Sequence, residues 1–182
     1  MVSILARCNL SRLTLAGLWV LLSGCTGMPP SIEPVSPFDV QRYLGTWYEI
    51  ARLDHSFERG LSNVSAVYSR NDDGSITVLN RGFDTEEQQW QQADGRAVFV
   101  DDDSQGHLKV SFFGPFYSSY VVFFLEPDYS VALVSGYSTD YLWLLAREPV
   151  LDQTQVSRYV AIADKAGFDT DKLIYPRQSR HP

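Results

Sequence analysis

The residue types that most often carry chemistry are few in this sequence, and their spacing does not suit catalysis. The three histidines, His55, His107 and His181, lack the spacing of metal ligands. The sequence contains no Gly-x-Ser-x-Gly nucleophile elbow and no Gly-rich phosphate loop. The run Asp101-Asp-Asp103 could be proposed as a calcium site, but the further spaced ligands are missing, which favours a solvated turn. We therefore predict a protein that is not an enzyme and uses no metal or cofactor.

One cysteine stands in a context that predicts covalent modification. Arg7 and Arg12 precede an apolar run, Leu13 to Leu22, that is too short to span a bilayer as a mature helix, and the sequence Leu-Ser-Gly-Cys25 ends that region. Small residues before Cys25 fit a peptidase site, and its thiol can accept a diacylglyceryl group before cleavage. We predict a signal peptide at 1–24 and lipidation at Cys25; an ordinary secretory signal with an incidental cysteine is the alternative.

The remaining composition indicates one acidic domain without a disulfide. The chain has two cysteines, and Cys8 would leave with the signal peptide, so Cys25 would have no partner. About 158 residues would remain, which suits one domain. The full chain has 15 basic and 22 acidic side chains; losing Arg7 and Arg12 leaves 13 against 22, a net charge of −9. This charge argues against nucleic acid as a partner and against electrostatic attachment to anionic lipid.

Short β-forming runs at hairpin spacing follow a Pro- and Ser-rich segment. Residues 26–37 read as a tether after the lipidated end, and the domain is predicted to occupy 38–182, beginning with one helical turn at Phe38 to Leu44. The Asp73-Gly74 dipeptide indicates a hairpin turn. Eight strands are predicted at 45–53, 64–70, 75–80, 89–100, 107–113, 120–126, 131–136 and 141–148. With no helix between them, they predict an all-β antiparallel domain, best closed as an up-and-down barrel.

One helix is predicted after the strands. Asp152 is a good N-cap, Gln155 stands at the capping-box position, and Gly167 stops the helix. Apolar residues repeat at helical spacing to form a face that should pack on the outer wall of the barrel: Val156, Tyr159, Val160, Ala163 and Ala166. Residues 172–175 could add a short edge strand.

Four blocks of sequence resemble the bacterial lipocalins, a group of outer-membrane lipoproteins. They are Arg42-Tyr-Leu-Gly-Thr-Trp-Tyr-Glu-Ile-Ala-Arg52, Asp54-His-Ser-Phe-Glu-Arg-Gly60, Ser111-Phe-Phe-Gly-Pro-Phe-Tyr117 and Asp140-Tyr-Leu-Trp-Leu-Leu-Ala-Arg147. The resemblance extends from about Phe38 to Tyr175. It implies an eight-stranded barrel with one helix outside, whose floor is closed by Trp47. Without these blocks, Trp47 could equally be a core aromatic residue of an unrelated sandwich.

The resemblance also assigns structural roles at the floor. Gly45 and Trp47 form the family's Gly-x-Trp motif, and Arg147 is expected to lie across the indole as a cation–π partner worth about 1 kcal/mol. The family's second motif, usually Thr-Asp-Tyr, corresponds by spacing to Pro127-Asp128-Tyr129, where proline removes the threonine hydroxyl and weaker local bonding is expected. The literal Thr139-Asp-Tyr141 lies too near Arg147 to be this motif.

Ligand residues are predicted from alternation and from the motif blocks. With Trp47 at the closed end, the segments 114–119 and 136–140 lie at the open end. Tyr117 and Trp143 are expected to meet a polar head near this end, with Phe112 and Phe124 in an apolar lining that suits an acyl chain; plain barrel packing is the alternative for each. Strict alternation also turns Glu49 inward, unless a bulge turns it out.

Two functional classes follow from these expectations. The first is a lipid-anchored protein that stores or carries a fatty acid or lysophospholipid. The resemblance to bacterial lipocalins implies that it does so for membrane maintenance, at the outer membrane and facing the periplasm. The resemblance to bacterial lipoproteins implies that Thr26 after Cys25 favours that membrane. The second is an envelope interaction module that uses Phe113, Phe116 and Tyr117 to contact a partner or a second copy as a homodimer.

Overall fold

The computed structural model describes residues 27–179 as eight antiparallel strands closed into a barrel, which confirms the predicted fold. Each strand pairs with its neighbours in sequence, and β1 pairs with β8. The strands are β1 (Gly45–Arg52), β2 (Leu61–Arg70), β3 (Ile76–Asp84), β4 (Gln89–Phe99), β5 (His107–Phe113), β6 (Phe116–Leu125), β7 (Val131–Ser135) and β8 (Leu142–Ala146). The helices are α1 (Val40–Tyr43) and α2 (Gln153–Lys165), and a short 3-10 turn spans Thr170–Lys172.

The two faces of the barrel wall form two separate apolar clusters. The inner cluster contains Trp47, Tyr68 and Val122, and α1 closes it from below with Val40 and Tyr43. The outer cluster is covered by α2, and its members from the wall and the helix include Ile50, Val121, Leu133, Leu144, Val156, Tyr159 and Ala163. Because successive strand residues point to opposite faces, both clusters are built from the same short strands.

Helix α2 begins and ends as the sequence predicts. The Asp152 carboxylate accepts a hydrogen bond from the Gln155 backbone N–H at 2.9 Å, and the Gln155 side chain accepts one from the Asp152 N–H at 3.2 Å. This reciprocal box satisfies two N–H groups that the first turn would leave unpaired. At the other end Gly167 adopts a φ of +91°, which glycine tolerates best. The helix buries Val156, Tyr159 and Ala163 against the barrel, as predicted.

Bulges interrupt the regular alternation at four places in the barrel. The pairing of β1 with β8 shifts between Glu49 and Ala51, and that of β2 with β3 shifts between Ser62 and Ser65. The pairing of β5 with β6 shifts between Val110 and Phe113, and that of β6 with β7 shifts between Val122 and Phe124. Each extra residue inverts the face on which later side chains lie. The bulges in β1 and β6 decide which side chains enter the site.

The segment before α1 packs on the barrel. Residues 26–37 were predicted to be a tether, but the part of this segment that the structure describes, 27–37, contacts the barrel wall. Ile32 is buried in the outer cluster, and Met28 packs against the same cluster. The Val35 N–H donates to the carbonyl of Val122 at 2.8 Å, and the Val35 carbonyl accepts from Gly106 at 3.0 Å. The packed domain therefore begins about ten residues before the predicted boundary at 38.

The C-terminal segment lies along the wall where β1 and β2 separate. These strands pair only from Gly45 to Tyr48 of β1, and Arg52 is instead bridged by Ile174. The Gln178 side-chain amide donates to the carbonyls of Glu49 and Val64, both at 2.8 Å. The short strand predicted at 172–175 is thus reduced to one bridge, and the tail supplies hydrogen bonds to backbone groups that the bulges leave without a strand partner.

Candidate functional site: the barrel interior and its two ends

The closed end is held by Trp47 and Arg147, at the positions predicted from the motif. Trp47 is fully buried, and its indole N–H donates to the Tyr43 carbonyl at 2.8 Å. The Arg147 guanidinium lies 4.0 Å from the indole centroid. It also donates to the carbonyls of Thr46, Arg42, Leu44, Tyr43 and Tyr129 at 2.7 to 3.3 Å. Arg147 therefore joins the chain before β1 to the end of β8, a role that sequence reasoning did not predict beyond the ring contact.

The other predicted motif residues also meet at this end. Gly45 has a φ of +93°, and a Cβ there would lie 3.5 Å from Nη1 of Arg147. The Tyr129 hydroxyl accepts from the Asp39 N–H at 2.8 Å, while the Asp128 carboxylate accepts from the Ser130 N–H at 3.0 Å and its hydroxyl at 2.6 Å. These Ser130 bonds lower the pKa of Asp128. Ser130 thus supplies a hydroxyl in this turn, where the proline at 127 supplies none.

Three phenols meet at the base of the interior. The Tyr120 hydroxyl lies 2.7 Å from that of Tyr43 and 2.8 Å from that of Tyr68. Burial raises the pKa of all three phenols, so they remain protonated at neutral pH. Tyr120 is half-buried on the inner face, and its position places a hydrogen-bonded polar group at the bottom of a largely apolar interior.

The inner wall formed by β2, β3 and β4 carries small side chains. Ala66, Asn80 and Ala93 are paired across these three strands, and Gly95 pairs with the inward Val78. Ala93 is exposed and Ala66 half-buried although both face inward, so solvent reaches this wall from the open end. The Phe112 ring folds over Gly95, where a Cβ would approach it to 2.7 Å. Phe112 therefore lies on the inner face, as predicted.

Trp143 lies on the inner face near the open end, as predicted, but its indole N–H is already bonded. It pairs with Val134 of the inner cluster, and Nε1 donates to Oε2 of Glu58 at 3.0 Å. The His55 ring lies 5.1 Å from the indole centroid and stacks on Phe57 at 3.9 Å. The connection from β1 to β2 thus folds over the open end and rests on Trp143.

A buried cluster of charged residues anchors this connection. The Arg52 guanidinium donates to Oε1 of the Glu49 carboxyl group and to the Glu58 carbonyl at 2.6 Å, and His55 Nε2 lies 3.1 Å from Glu58 Oε2. Glu49 and Arg52 are only 2% and 1% exposed. The sequence left open whether a bulge turns Glu49 outward; Glu49 faces inward, because the bulge in β1 comes after it. Burial, followed by the nearby Glu58 charge, raises the pKa of Glu49 to about 8.

The surroundings of Glu58 lower its pKa, whereas those of Glu49 raise the pKa of Glu49. Burial alone would raise the pKa of Glu58, but the His55 contact and the Trp143 hydrogen bond favour its ionised form and lower that pKa below the ordinary value. The cluster therefore keeps a carboxylate charged at the open end beside one that holds its proton. Such a charged acceptor can fix the orientation of Trp143 and of the connection above it.

Two predicted ligand residues lie on the outside of the barrel. The bulge in β6 pairs Phe124 with Leu133 of the outer cluster, and its ring lies 5.8 Å from that of Tyr159 on α2. Tyr117 alternates with the inward Ser118, and its ring meets the Lys109 ammonium at 5.5 Å. The prediction that Phe124 lines the interior is therefore wrong, and Tyr117, which was expected to meet a polar head near the open end, points away from the interior.

Sequence reasoning missed the roles of Arg52, His55 and Glu58. The signal available was three ionisable residues following an inward Glu49, all close in sequence to an otherwise apolar strand. Cys25 and His181 lie outside the described residues, so lipidation at Cys25 stays a prediction. Within residues 27–179, no helix is long and apolar enough to cross a membrane, and no group of three or more His, Cys, Asp or Glu side chains could hold a metal ion.

The comparisons with known proteins agree with this geometry. An "Outer membrane lipoprotein Blc" of Vibrio cholerae is 55% identical over 160 residues, which covers 87% of this chain and 94% of the relative. One of Escherichia coli K12 is 47% identical over 150 residues, or 82% and 85% of the two chains. "Temperature-induced lipocalin-1" of Arabidopsis thaliana is 32% identical, covering 83% of this chain and 85% of the relative. The bacterial relatives confirm the predicted location at the outer membrane.

A solved structure supports the fold independently. Insecticyanin from the tobacco hornworm Manduca sexta superposes with a TM-score of 0.68 at 22% identity, covering 85% of this chain and 88% of that one. A likeness at this identity concerns the fold alone. The family model described as a lipocalin-like domain matches residues 38–178. That match includes the whole barrel and α2, and the chain therefore belongs to the lipocalin family.

Proposed function

We propose that this lipocalin is a binding protein rather than an enzyme, and that its barrel holds a fatty acid or the acyl chain of a lysophospholipid. The supporting observation is the solvent-reachable inner wall of Ala66, Ala93 and Gly95, which faces the Phe112 ring inside a barrel closed at its base by Trp47. An apolar interior with one open end suits a single long apolar chain.

The proposed setting is the periplasmic face of the outer membrane, where Cys25 would carry the lipid anchor. The names of the bacterial relatives support this setting. The anchor would keep the barrel near a source of acyl chains, while the connection between β1 and β2 covers its open end. Storage or transfer of lipids for membrane maintenance is the role that follows from this arrangement.

Native mass spectrometry of the delipidated soluble chain tests the binding step. The chain from residue 26 onward is titrated with palmitate and with lysophosphatidylethanolamine. We expect one-to-one adducts at micromolar ligand. Ala93→Trp should abolish them because it fills the inner wall, whereas Gln92→Trp places the same ring on the outer face of the same strand and should leave them intact. Absence of adducts with the unchanged chain would refute the proposal.

A second candidate is the envelope interaction module, and exposed aromatic residues at the open end favour it. Phe113 and Phe116 are paired and are 82% and 69% exposed, and Phe57 is 62% exposed. Apolar surface of this kind is common where proteins contact a partner. Chemical crosslinking in envelopes distinguishes the two: Phe116→Asp should remove crosslinked partners or dimers if this candidate is right, and unchanged association would exclude it.

A further inference from the structure

The inner wall opposite Phe112 contains one polar side chain with unmet hydrogen-bonding capacity, Asn80. In β3, Ile76 and Val78 belong to the buried inner cluster, and β3 pairs with β4 without a bulge from Ile76 to Asp84. Alternation therefore turns Asn80 inward. Its Oδ1 is buried and accepts no hydrogen bond from any residue in the described range 27–179.

The neighbours of Asn80 leave space around this amide. It is paired with Ala66 on one side and Ala93 on the other. Gly82 follows it on the same face, where a Cβ would come within 2.9 Å of the Leu61 side chain. Together with Gly95 under the Phe112 ring, these residues form a niche whose wall carries small side chains. The large apolar side chains of Leu61 and Phe112 lie at its edges. We call it the Asn80 niche.

The chemistry of the niche selects a hydrogen-bond donor. A buried carbonyl oxygen without a partner is unfavourable, so an occupant that donates to Oδ1 is favoured over one that cannot. An unsubstituted acyl chain carries no donor, and ester or carboxylate oxygens at neutral pH only accept. A hydroxyl group both donates and accepts, so it satisfies the amide in either orientation of its oxygen and nitrogen.

We propose that the Asn80 niche binds a hydroxyl group on the acyl chain of the ligand, so that the barrel prefers hydroxylated fatty acids to unsubstituted ones. The inference rests on the proposed function, because it names a subclass of the same ligand. Asn80 acts as a specificity-determining residue and the surrounding apolar wall supplies the affinity common to all acyl chains.

The test compares the dissociation constants of palmitate, 3-hydroxypalmitate and 16-hydroxypalmitate for the full-length, lipid-anchored protein in detergent, measured by calorimetry. At least one hydroxylated acid should bind about fivefold to tenfold more tightly than palmitate, the effect of one buried hydrogen bond. Asn80→Leu should bring that ratio to about one while retaining palmitate binding. Gln92→Leu removes an amide from the outer face of the neighbouring strand and should preserve the preference.

Equal affinities for all three acids in the unchanged protein would overturn the inference, since an ordered water would then suffice for Asn80. A preference that survives Asn80→Leu would overturn it as well. If Asn80→Leu does not fold, Asn80→Ala replaces it, since alanine also lacks a side-chain acceptor, and a preference unchanged in that variant contradicts the assignment. Failure to bind palmitate or either hydroxylated acid would instead refute the proposed function.

Discussion

Replacement of Arg147 should be among the most destabilising single changes in this barrel. The guanidinium accounts for five hydrogen bonds to backbone carbonyls and for the contact with Trp47 at 4.0 Å. A hydrogen bond to a charged group contributes about 1.5 to 3 kcal/mol and a cation–π contact about 1, but these values do not add, and solvent screens part of this half-buried side chain. We expect Arg147→Met to lower the free energy of unfolding by about 4 kcal/mol.

The assay is urea unfolding of the soluble chain followed by tryptophan fluorescence, analysed as a two-state transition. Arg147→Lys keeps the charge and the ring contact but cannot reach all five carbonyls, so about half of the loss is expected. Arg158→Met is the matched control: Arg158 lies 5.2 Å from the Tyr159 ring and pairs with Glu126, yet its side chain is 59% exposed. It should cost under about 1 kcal/mol. Equal stability of Arg147→Met and Arg158→Met would refute the reasoning.

Three further predictions concern the open end, α2 and the C-terminal tail. Glu49 keeps its proton in the folded chain up to about pH 8 but loses it near its ordinary pKa of 4.5 when unfolded, so the free energy of unfolding should fall as the pH rises between these values, by about 1.4 kcal/mol per pH unit at most. Glu49→Gln should make the free energy of unfolding less dependent on pH in this range. The same pH dependence in both proteins, measured by urea unfolding, would contradict this prediction. Asp152→Ala should cost about 1 kcal/mol, measured by thermal unfolding, because it removes the cap from α2; an unchanged melting temperature would argue against the box. Gln178→Ala should speed amide hydrogen exchange in the parts of β1 and β2 around Glu49 and Val64 and leave exchange in β5 unchanged. A change of the same size in all three strands would show that the C-terminal segment does not hold β1 and β2 together.

The fold and the closed end were predictable because their signals are local. Hairpin spacing, the capping box at Asp152 and the Gly45-x-Trp47 motif each follow from a few adjacent residues, and the structure has them in the predicted places. Arg147 was predicted through its motif block, but its carbonyl contacts depend on how the chain at 42–46 turns under the barrel, which no spacing reveals.

The errors at the ligand residues come from bulges and strand limits. Phe124 follows a bulge in β6 that reverses its side, and Tyr117 lies in β6 three residues before the predicted start of that strand. Alternation alone cannot locate an extra residue, so one bulge moves every later side chain to the other face. Trp143 lies on a strand without a bulge, and its inward position was predicted correctly. Phe112 lies within a bulge of β5 between Val110 and Phe113, and its ring still packs with the inner cluster.

The charged cluster at the open end escaped prediction for a different reason. Glu58 and Trp143 are separated by 85 positions in the chain and meet only because the connection after β1 folds back over the barrel. Charged residues in a loop are usually solvated, so sequence alone favours exposure for His55 and Glu58. Their burial depends on a tertiary contact that composition and spacing do not encode.

Lipid extraction followed by mass spectrometry tests whether the barrel carries a lipid. The chain from residue 26 onward is expressed without its anchor, purified without detergent, and extracted into organic solvent. We expect to recover about one fatty acid or lysophospholipid per chain, with Ala93→Trp recovered empty and Gln92→Trp recovered loaded. An empty barrel in the unchanged protein that also refuses added lipid would contradict the account and favour the interaction module.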